Sequence, residues 1–170
     1  MSESLKKRLE STFEDIQIAA IEDNRMVITA EKQGVPAILM FLRDAGFDHL
    51  SLISAVDYIE DNEFELCYIL TCYMESLDFE NQQDLHIILK TRISREGPGF
   101  QTVICIYPNA EPYEREIHEL FGIKFEGHPR LTPLFLERDY EIPPFRKDFD
   151  TRTYVKGVFD KIPFVENKDK

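Results

Sequence analysis

The stretch FELCYILTCYM, residues 64–74, decides the fold because its side chains alternate along the chain. A period of two is typical of a β-strand that is buried on one face. The side chains predicted to share the buried face are Phe64, Leu66, Tyr68, Leu70, Cys72 and Met74. The flanking segments alternate similarly, with predicted inner positions at Leu50, Leu52, Val56 and Tyr58 before this stretch and at Leu85, Ile87, Leu89 and Ile93 after it.

Helical periodicity and a hairpin pattern precede these strands. Apolar residues spaced by four predict a first helix that ends near Phe13, and IQIAAI and RMVITA, separated by the turn-like EDN, predict a hairpin. A second helix is predicted over residues 35–45, ended by Gly46. One-sided alternation is typical of antiparallel strands whose apolar face is covered by helices. We therefore predict an α+β fold, in which helices pack on one face of an antiparallel sheet.

Charge and proline content change near Gly127. The net charge of −12 divides into −13 for residues 1–126, with 11 basic and 24 acidic side chains, and +1 for residues 127–170, with 9 basic and 8 acidic. Five of the nine prolines also follow Gly127. This last segment has no sustained period but many aromatic residues, which disordered tails lack. We predict an α+β domain over residues 1–126 and, over residues 127–170, an extended, proline- and aromatic-rich C-terminal arm that docks on a partner subunit.

Composition argues against several classes of function. An acidic chain is a poor nucleic-acid binder, since phosphate recognition needs clustered Lys and Arg. No apolar run approaches the roughly 20 residues that span a bilayer, so we expect no direct membrane span. Cys67, Cys72 and Cys105 lie in apolar runs without a CxxC pairing. This pattern predicts buried thiols in a reducing compartment, with the cytoplasm as the default.

The segment EPYEREIHELFGIKFEGHP, residues 111–129, concentrates titratable side chains. It predicts a helix as far as Phe121 that places Glu114 and His118 four residues apart on one face, with His128 ten residues later. These three side chains suggest a small metal-assisted hydrolase as one alternative. Zinc sites, however, use three or four ligands, and the segment holds neither HExxH nor a cysteine pair.

A solvated helix face is the simpler interpretation of this segment. It would carry ion pairs between residues four apart, such as Glu111 with Arg115 or Arg115 with Glu119. The residues show no nucleophile elbow or phosphate-binding loop, so we expect no catalytic residues.

Continued through RLTPLFL and PPFRKDF, the segment resembles the signature of a known family. It is similar to the thirty-kilodalton subunit of respiratory complex I and of related energy-converting membrane-bound nickel-iron hydrogenases. The matching residues are Glu114, Arg115, Glu116, Glu119, Leu120, Phe121, His128, Arg146, Lys147 and Asp148. The sequence departs from the pattern at Thr132, where the family usually has a basic residue or proline, and at Tyr140, where it has a Trp-containing acidic loop.

The resemblance implies a structural and assembly subunit in the peripheral part of a membrane-bound, ion-pumping oxidoreductase complex, with no catalysis by the chain alone. The implied partners are the large catalytic-type subunit and the small iron-sulfur subunit. Iron-sulfur clusters, and nickel-iron in the hydrogenase branch, are expected in those partners, and no cofactor or metal in this chain. The expected location is the cytoplasmic face of the membrane, where the complex holds the chain.

Roles for the motif residues follow from the same resemblance. Glu114, Arg115 and Glu116 are expected to set the junction between domain and C-terminal arm, and Glu119 belongs to the same motif. Partner contacts or local clamps are expected at His128, Arg146, Lys147 and Asp148. Deleting residues 127–170 should leave a folded domain that cannot join its complex. The electron donor and acceptor, the pumped ion and the role of His118 stay open.

Overall fold

The structure is a computed structural model that describes residues 2–22, 24–72, 85–136 and 140–158. Within these ranges it contains four helices and seven strands. In chain order they are α1 (Ser2–Thr12), β1 (Ile16–Glu22), β2 (Arg25–Ala30), α2 (Val35–Asp44), β3 (His49–Tyr58), β4 (Glu63–Thr71), β5 (His86–Ser94), β6 (Gly99–Gln101), α3 (Ala110–Phe121), β7 (Lys124–Glu126) and α4 (Thr151–Val158).

Five strands form one mixed sheet in the order β1-β2-β5-β4-β3. The β1/β2, β3/β4 and β4/β5 pairs are antiparallel, whereas β2 and β5 run parallel. The α+β class is therefore confirmed, and the prediction of a purely antiparallel sheet is wrong at the β2/β5 pair. The physical reason is that β2 and β5 are not joined by a hairpin, so no tight turn imposes an antiparallel direction on them. Alternation reports which face is buried and is the same for either direction.

The core lies on one face of this sheet. The predicted inner residues of β4 from Phe64 to Cys72 are buried, and Met74 lies outside the described residues. On β5, Ile87, Leu89 and Ile93 are buried as predicted, and Leu85 is partly buried. The buried residues of the first three helices join the same apolar cluster, among them Leu5, Leu9, Ile38, Leu42 and Ile117. The burial of these apolar side chains away from water is the main source of stability of the fold.

Strand β3 departs from the predicted alternation. Its register shifts between Leu50, which pairs with Leu70, and Leu52, which pairs with Ile69. The extra residue turns all later side chains to the opposite face of the sheet. Leu52 and Val56, predicted to lie inside, are 38% and 40% exposed. Asp57 is turned into the interior instead, where it is 3% exposed.

The strands β6 and β7, which precede and follow α3 in the chain, form a two-stranded parallel sheet. Between β6 and α3, a turn buries Val103 and Tyr107, and the Tyr107 hydroxyl donates to the Phe47 carbonyl at 2.7 Å. The same turn leaves Cys105 exposed, so the prediction of a buried thiol is wrong there. Its side chain lies on the outer side of a tight turn rather than in a strand.

The other two thiols, Cys67 on β4 and Cys72 directly after it, are five positions apart in the chain and so point to opposite faces. Cys72 is buried, and Cys67 is partly buried beside Glu65. Burial, followed by the charge of Glu65, raises the pKa of Cys67 to about 11. Within the described ranges, no helix has the length and apolar character needed to cross a membrane.

Two fully buried tyrosines provide a matched test of this core. Tyr107→Phe removes the donor to Phe47 and should lower the free energy of unfolding by about 1–2 kcal/mol, since a buried carbonyl loses its partner. The buried Tyr68 hydroxyl has no hydrogen-bond partner among the described residues, so Tyr68→Phe should change stability by less than about 0.5 kcal/mol or raise it. Urea denaturation measures both. Equal losses in the two variants would contradict this description of the core.

Candidate functional site at the domain–arm junction

Glu114 is fully buried at the start of the predicted motif. Its carboxylate accepts hydrogen bonds from the Thr102 hydroxyl at 2.6 Å and from the Val103 amide at 2.8 Å. Burial raises the pKa of Glu114, and these two hydrogen bonds oppose the rise. The solvated helix face expected here is therefore wrong for Glu114, which ties α3 to the segment that follows β6.

Arg115 holds the first part of the C-terminal arm. Its Nε donates to the Thr132 carbonyl at 3.0 Å and its Nη2 to the Pro133 carbonyl at 2.9 Å. The predicted pair with Glu111 is present at 3.4 Å. Arg115 thus bridges its own helix and the backbone of the arm.

Glu119 continues this attachment one helical turn later. Its carboxylate accepts three successive backbone amides, those of Leu134, Phe135 and Leu136, at 3.1, 3.0 and 2.5 Å. The alternative pair with Arg115 is not formed, because the arm supplies better donors to the carboxylate. Three amides converging on one anion make a charge-assisted arrangement that fixes the local backbone.

The two histidines of this segment bind backbone groups. His118 Nδ1 lies 2.8 Å from the Ile123 carbonyl, so that nitrogen carries the proton. His128 Nδ1 accepts the Arg130 amide at 3.0 Å, and its Nε2 faces the Glu111 carbonyl at 3.3 Å. With Glu114 bound to Thr102 and Val103, the residues of the hydrolase alternative have separate partners. Across the described ranges, no group of three or more His, Cys, Asp or Glu is placed to hold a metal ion, and that alternative is not supported.

Arg146 caps the end of α3. Its Nε donates to the Phe121 carbonyl at 2.7 Å, and its guanidinium lies 5.2 Å from the centre of the Phe64 ring. A cation at this end of a helix is favoured by the helix dipole. Burial, and then the charge of Arg95, lower the pKa of Arg146.

Gly122 makes this close approach possible. Its φ of +76° ends the helix in the left-handed region. A Cβ at this position would lie 3.0 Å from both Arg146 Nη2 and Pro143 Cγ. Glycine is therefore required for backbone conformation and for space.

Asp57 and Arg95 form a buried ion pair under the arm. Arg95 Nε lies 2.8 Å from Asp57 Oδ1, a contact whose angle falls short of a hydrogen bond, and Arg95 Nη2 donates to Oδ2 at 3.1 Å. The same Nη2 reaches Asp148 at 2.9 Å, and the Lys147 amide donates to Asp57 Oδ2 at 2.9 Å. Asp57 and Arg95 therefore hold two consecutive motif residues of the arm.

Aromatic packing supplements these polar contacts. The Phe145 amide donates to the Leu120 carbonyl at 3.0 Å, and the Phe145 ring packs edge-on against Phe121 with centroids 5.8 Å apart. Further along, the rings of Tyr140, Phe149 and Tyr154 lie within 4.9–5.8 Å of one another. The described part of the arm thus packs on the domain through Phe145, and its last described helix, α4, has eight residues.

The structure brings most of the motif residues to one junction and adds two that sequence reasoning missed. Glu116, the remaining motif residue, is partly exposed on α3 and lines a small cavity beside Phe145. Asp57 and Arg95 lie outside the signature, and no pattern in the sequence marked them as functional residues. In the predicted register of β3, Asp57 would have faced outward like any solvated aspartate.

The Asp57 ion pair generates a test of the junction. Asp57→Asn leaves the Arg95 charge without its buried partner and should cost about 3 kcal/mol of unfolding free energy. It should also accelerate hydrogen exchange at the Lys147 amide, because the charged carboxylate that accepts its hydrogen bond becomes a neutral amide oxygen. Asp61→Asn is the matched control, because its pair with Arg92 is exposed and worth less than about 1 kcal/mol. Unchanged exchange at Lys147 would contradict the proposed hold on the arm.

Glu114 generates a test of pH dependence. A carboxyl whose pKa is raised in the folded state binds its proton more tightly there than in the unfolded chain. Stability therefore falls as pH rises from the ordinary carboxyl value of 4.5 through the raised pKa. Glu114→Gln should remove this part of the decline, so wild type loses stability relative to the variant as pH increases.

Thr102→Val is the companion variant for this test. It removes the hydroxyl that lowers the pKa of Glu114, so its loss of stability with rising pH should exceed that of wild type. Urea denaturation between about pH 4 and pH 8 measures all three proteins, a range chosen to bracket ordinary and raised carboxyl pKa values. Parallel curves for wild type and Glu114→Gln would show that Glu114 titrates alike in both states.

Comparison with known proteins gives this junction a context. A family model described as "Respiratory-chain NADH dehydrogenase, 30 Kd subunit" matches residues 28–155. A subunit of the F(420)H(2) dehydrogenase of Methanosarcina mazei is 39% identical over 105 residues, which are 61% of this chain and 61% of that protein. A subunit of the NADH-quinone oxidoreductase of Bartonella quintana is 32% identical over 164 residues, covering 94% of this chain and 75% of that protein.

Two solved structures have a fold similar to that of this chain. A component of the membrane-bound sulfane sulfur reductase, an archaeal respiratory membrane complex, superposes with a TM-score of 0.84 at 29% identity, over 99% of this chain and 98% of that component. A trypsin-resistant fragment of Nqo5 gives a TM-score of 0.61 at 21% identity over 76% of this chain and 98% of the fragment, which supports the fold alone. The chain therefore belongs to the family of the 30 Kd subunit of respiratory-chain NADH dehydrogenase, as a subunit of a complex I-like or related membrane-bound respiratory complex.

Proposed function

We propose that the chain is a non-catalytic structural and assembly subunit in the peripheral part of a membrane-bound, ion-pumping oxidoreductase complex. The α+β domain over residues 1–126 carries the C-terminal arm over residues 127–170, and the arm binds the large catalytic-type subunit. The small iron-sulfur subunit is the second partner. The complex holds the chain at the cytoplasmic face of the membrane.

One observation carries this proposal: the motif residues fix the backbone of the arm while an aromatic side chain of the same segment faces outward. Glu119 binds the amides of Leu134 to Leu136, and Arg115 binds the carbonyls just before them. Between these contacts, the Phe135 side chain is 67% exposed. An aromatic residue on a rigid backbone loses little entropy when it docks, which is the character of an interface anchor.

The titratable motif residues support an architectural role rather than proton transfer. Glu114 and Glu119 accept backbone amides, and Arg115 and Arg146 donate to backbone carbonyls. Groups bound in this way set geometry, because moving their protons would break the contacts that position the arm. We assign His128, Lys147 and Asp148 to the same role, which is to hold the arm on the domain.

The thiols support placing the redox centres in the partner subunits. Cys67 on β4 and Cys72 directly after it point to opposite faces, so they cannot bind one cluster together. The raised pKa of Cys67 also disfavours the thiolate that a metal requires. We therefore place the iron-sulfur clusters in the small subunit and other partners, and nickel-iron, in a hydrogenase-like complex, in the large subunit.

Phe135 provides the test of this function. A tagged full-length chain with Phe135→Ser, expressed with the rest of its complex, should recover at least about tenfold less of the large subunit, as expected when an aromatic hot spot is lost. Met40→Ser is the matched control, because Met40 is 55% exposed but lies on α2 of the domain. It should recover the large subunit as wild type does.

Two results would contradict the proposal. A wild-type chain that elutes without any other subunit from cells expressing the whole complex would oppose the assembly role. Stoichiometric iron, nickel or zinc bound to the purified wild-type chain would oppose the assignment of all redox and metal centres to partners.

A further inference from the structure

The residues that the structure describes cover the edge of the sheet at β3 only in part. Among the described strands, β3 pairs with β4 alone and is therefore an edge strand. At its beginning, Asn109 Nδ2 donates to the Leu50 carbonyl at 2.7 Å and the Tyr113 hydroxyl to the Ser51 carbonyl at 2.9 Å. At its end, Asp57 holds the arm through the Lys147 amide. Between these positions, no described residue outside the sheet bonds to the backbone of residues 52–56.

A small apolar cavity opens beside this uncovered stretch. It has a volume of about 170 Å³ and lies between β3, α3 and the arm. Leu52 and Ala55 line it from the strand, Leu120 and Phe121 from the helix, and Phe145 from the arm. Leu52 and Phe145 are themselves 38% and 59% exposed, so the cavity continues into an apolar surface. We call the cavity and residues 52–56 together the edge groove.

Glu116 gives the edge groove its charge preference. It lines the cavity, and its carboxylate has no hydrogen bond or ion pair with any residue the structure describes. The neighbouring motif acids differ, since Glu114 and Glu119 are fully engaged with Thr102, Val103 and the arm backbone. With a charge of −13 over residues 1–126, a cationic ligand is favoured at this rim.

We propose that the edge groove receives an extended, basic-apolar segment of a partner subunit. The segment lies along residues 52–56 as an added strand, inserts one large apolar side chain into the cavity and places a Lys or Arg beside Glu116. Unpaired backbone groups of an edge strand supply the affinity in such an arrangement, and the pocket and the charge supply specificity. Phe145 makes the edge groove continuous with the C-terminal arm, and the inference rests on the proposed assembly function.

Photo-crosslinking in the assembled complex tests the occupant. Benzoylphenylalanine replaces Leu52 in the tagged full-length chain, and Ala19, exposed on the opposite edge strand β1, is the control position. After irradiation, the probe at position 52 should crosslink to another subunit, within a few residues of a Lys or Arg. The probe at position 19 should not yield that peptide.

The alternatives to this occupant are distinguishable. A crosslink from position 52 to the chain itself or to a second copy, or no crosslink in a complex that still co-purifies, overturns the inference and leaves the assembly function standing. Failure of the wild-type chain to co-purify with any subunit overturns the assembly function and the inference with it.

A charge exchange tests the role of Glu116. Glu116→Lys should reduce recovery of the crosslinked subunit at least about tenfold, because a like charge then faces the partner's cation. Changing the crosslinked partner Lys or Arg to Glu should restore recovery. Glu126→Lys, at an exposed position of β7, should assemble as wild type does. The thermal stability of the isolated Glu116→Lys chain should be unchanged, since Glu116 has no partner within the described residues. Wild-type recovery by Glu116→Lys would overturn the proposed pairing.

Discussion

The buried carboxylate of Asp57 is the constraint on which the rest of the junction depends. A charge inside a protein is tolerated only when opposite charge and hydrogen-bond donors surround it. Arg95 supplies the charge from just after β5, and the Lys147 amide supplies a donor from the C-terminal arm. Arg95 and Lys147 come from distant parts of the chain, and both are needed to stabilise the buried carboxylate of Asp57. The carboxylate therefore links the sheet to the arm. The shift in β3 is what turns Asp57 inward.

Periodicity predicted β4, β5, α2 and α3 well because each keeps one face toward the core for its whole length. It failed at β3, where one extra residue exchanges the faces and no residue type marks the exchange. It also could not give the direction of β2 relative to β5. At the junction, the signature identified the motif residues but not their partners, since Asp57 lies 90 residues from Lys147 and the groups bound by Arg115 and Glu119 are backbone atoms.

Because Arg115 uses backbone partners, the departure from the family pattern expected at Thr132 leaves its main contacts intact. Arg115 binds the carbonyls of residues 132 and 133, which any residue type provides. Its contact with the Thr132 hydroxyl is long, at 3.4 Å, and adds little. Arg115 and Glu119 therefore bind backbone atoms of the arm and place no demand on the side chains of those residues. Glu116 makes no such contact with the described residues, so it is the motif acid whose carboxylate is available to a group of another subunit.

The separation in sequence between Asp57 and Lys147 has a consequence for the order of folding. Contacts between distant residues form late, after local hairpins and helices have formed. The arm has its complete binding site only when β3 has reached its shifted register and β5 has placed Arg95. Attachment of the arm therefore depends on correct pairing of the sheet. A domain that has paired β3 in the unshifted register presents no carboxylate to the Lys147 amide. The arm, which is rich in aromatic residues, then stays detached from the domain. Pulse-labelling of the Lys147 amide during refolding would read out this order.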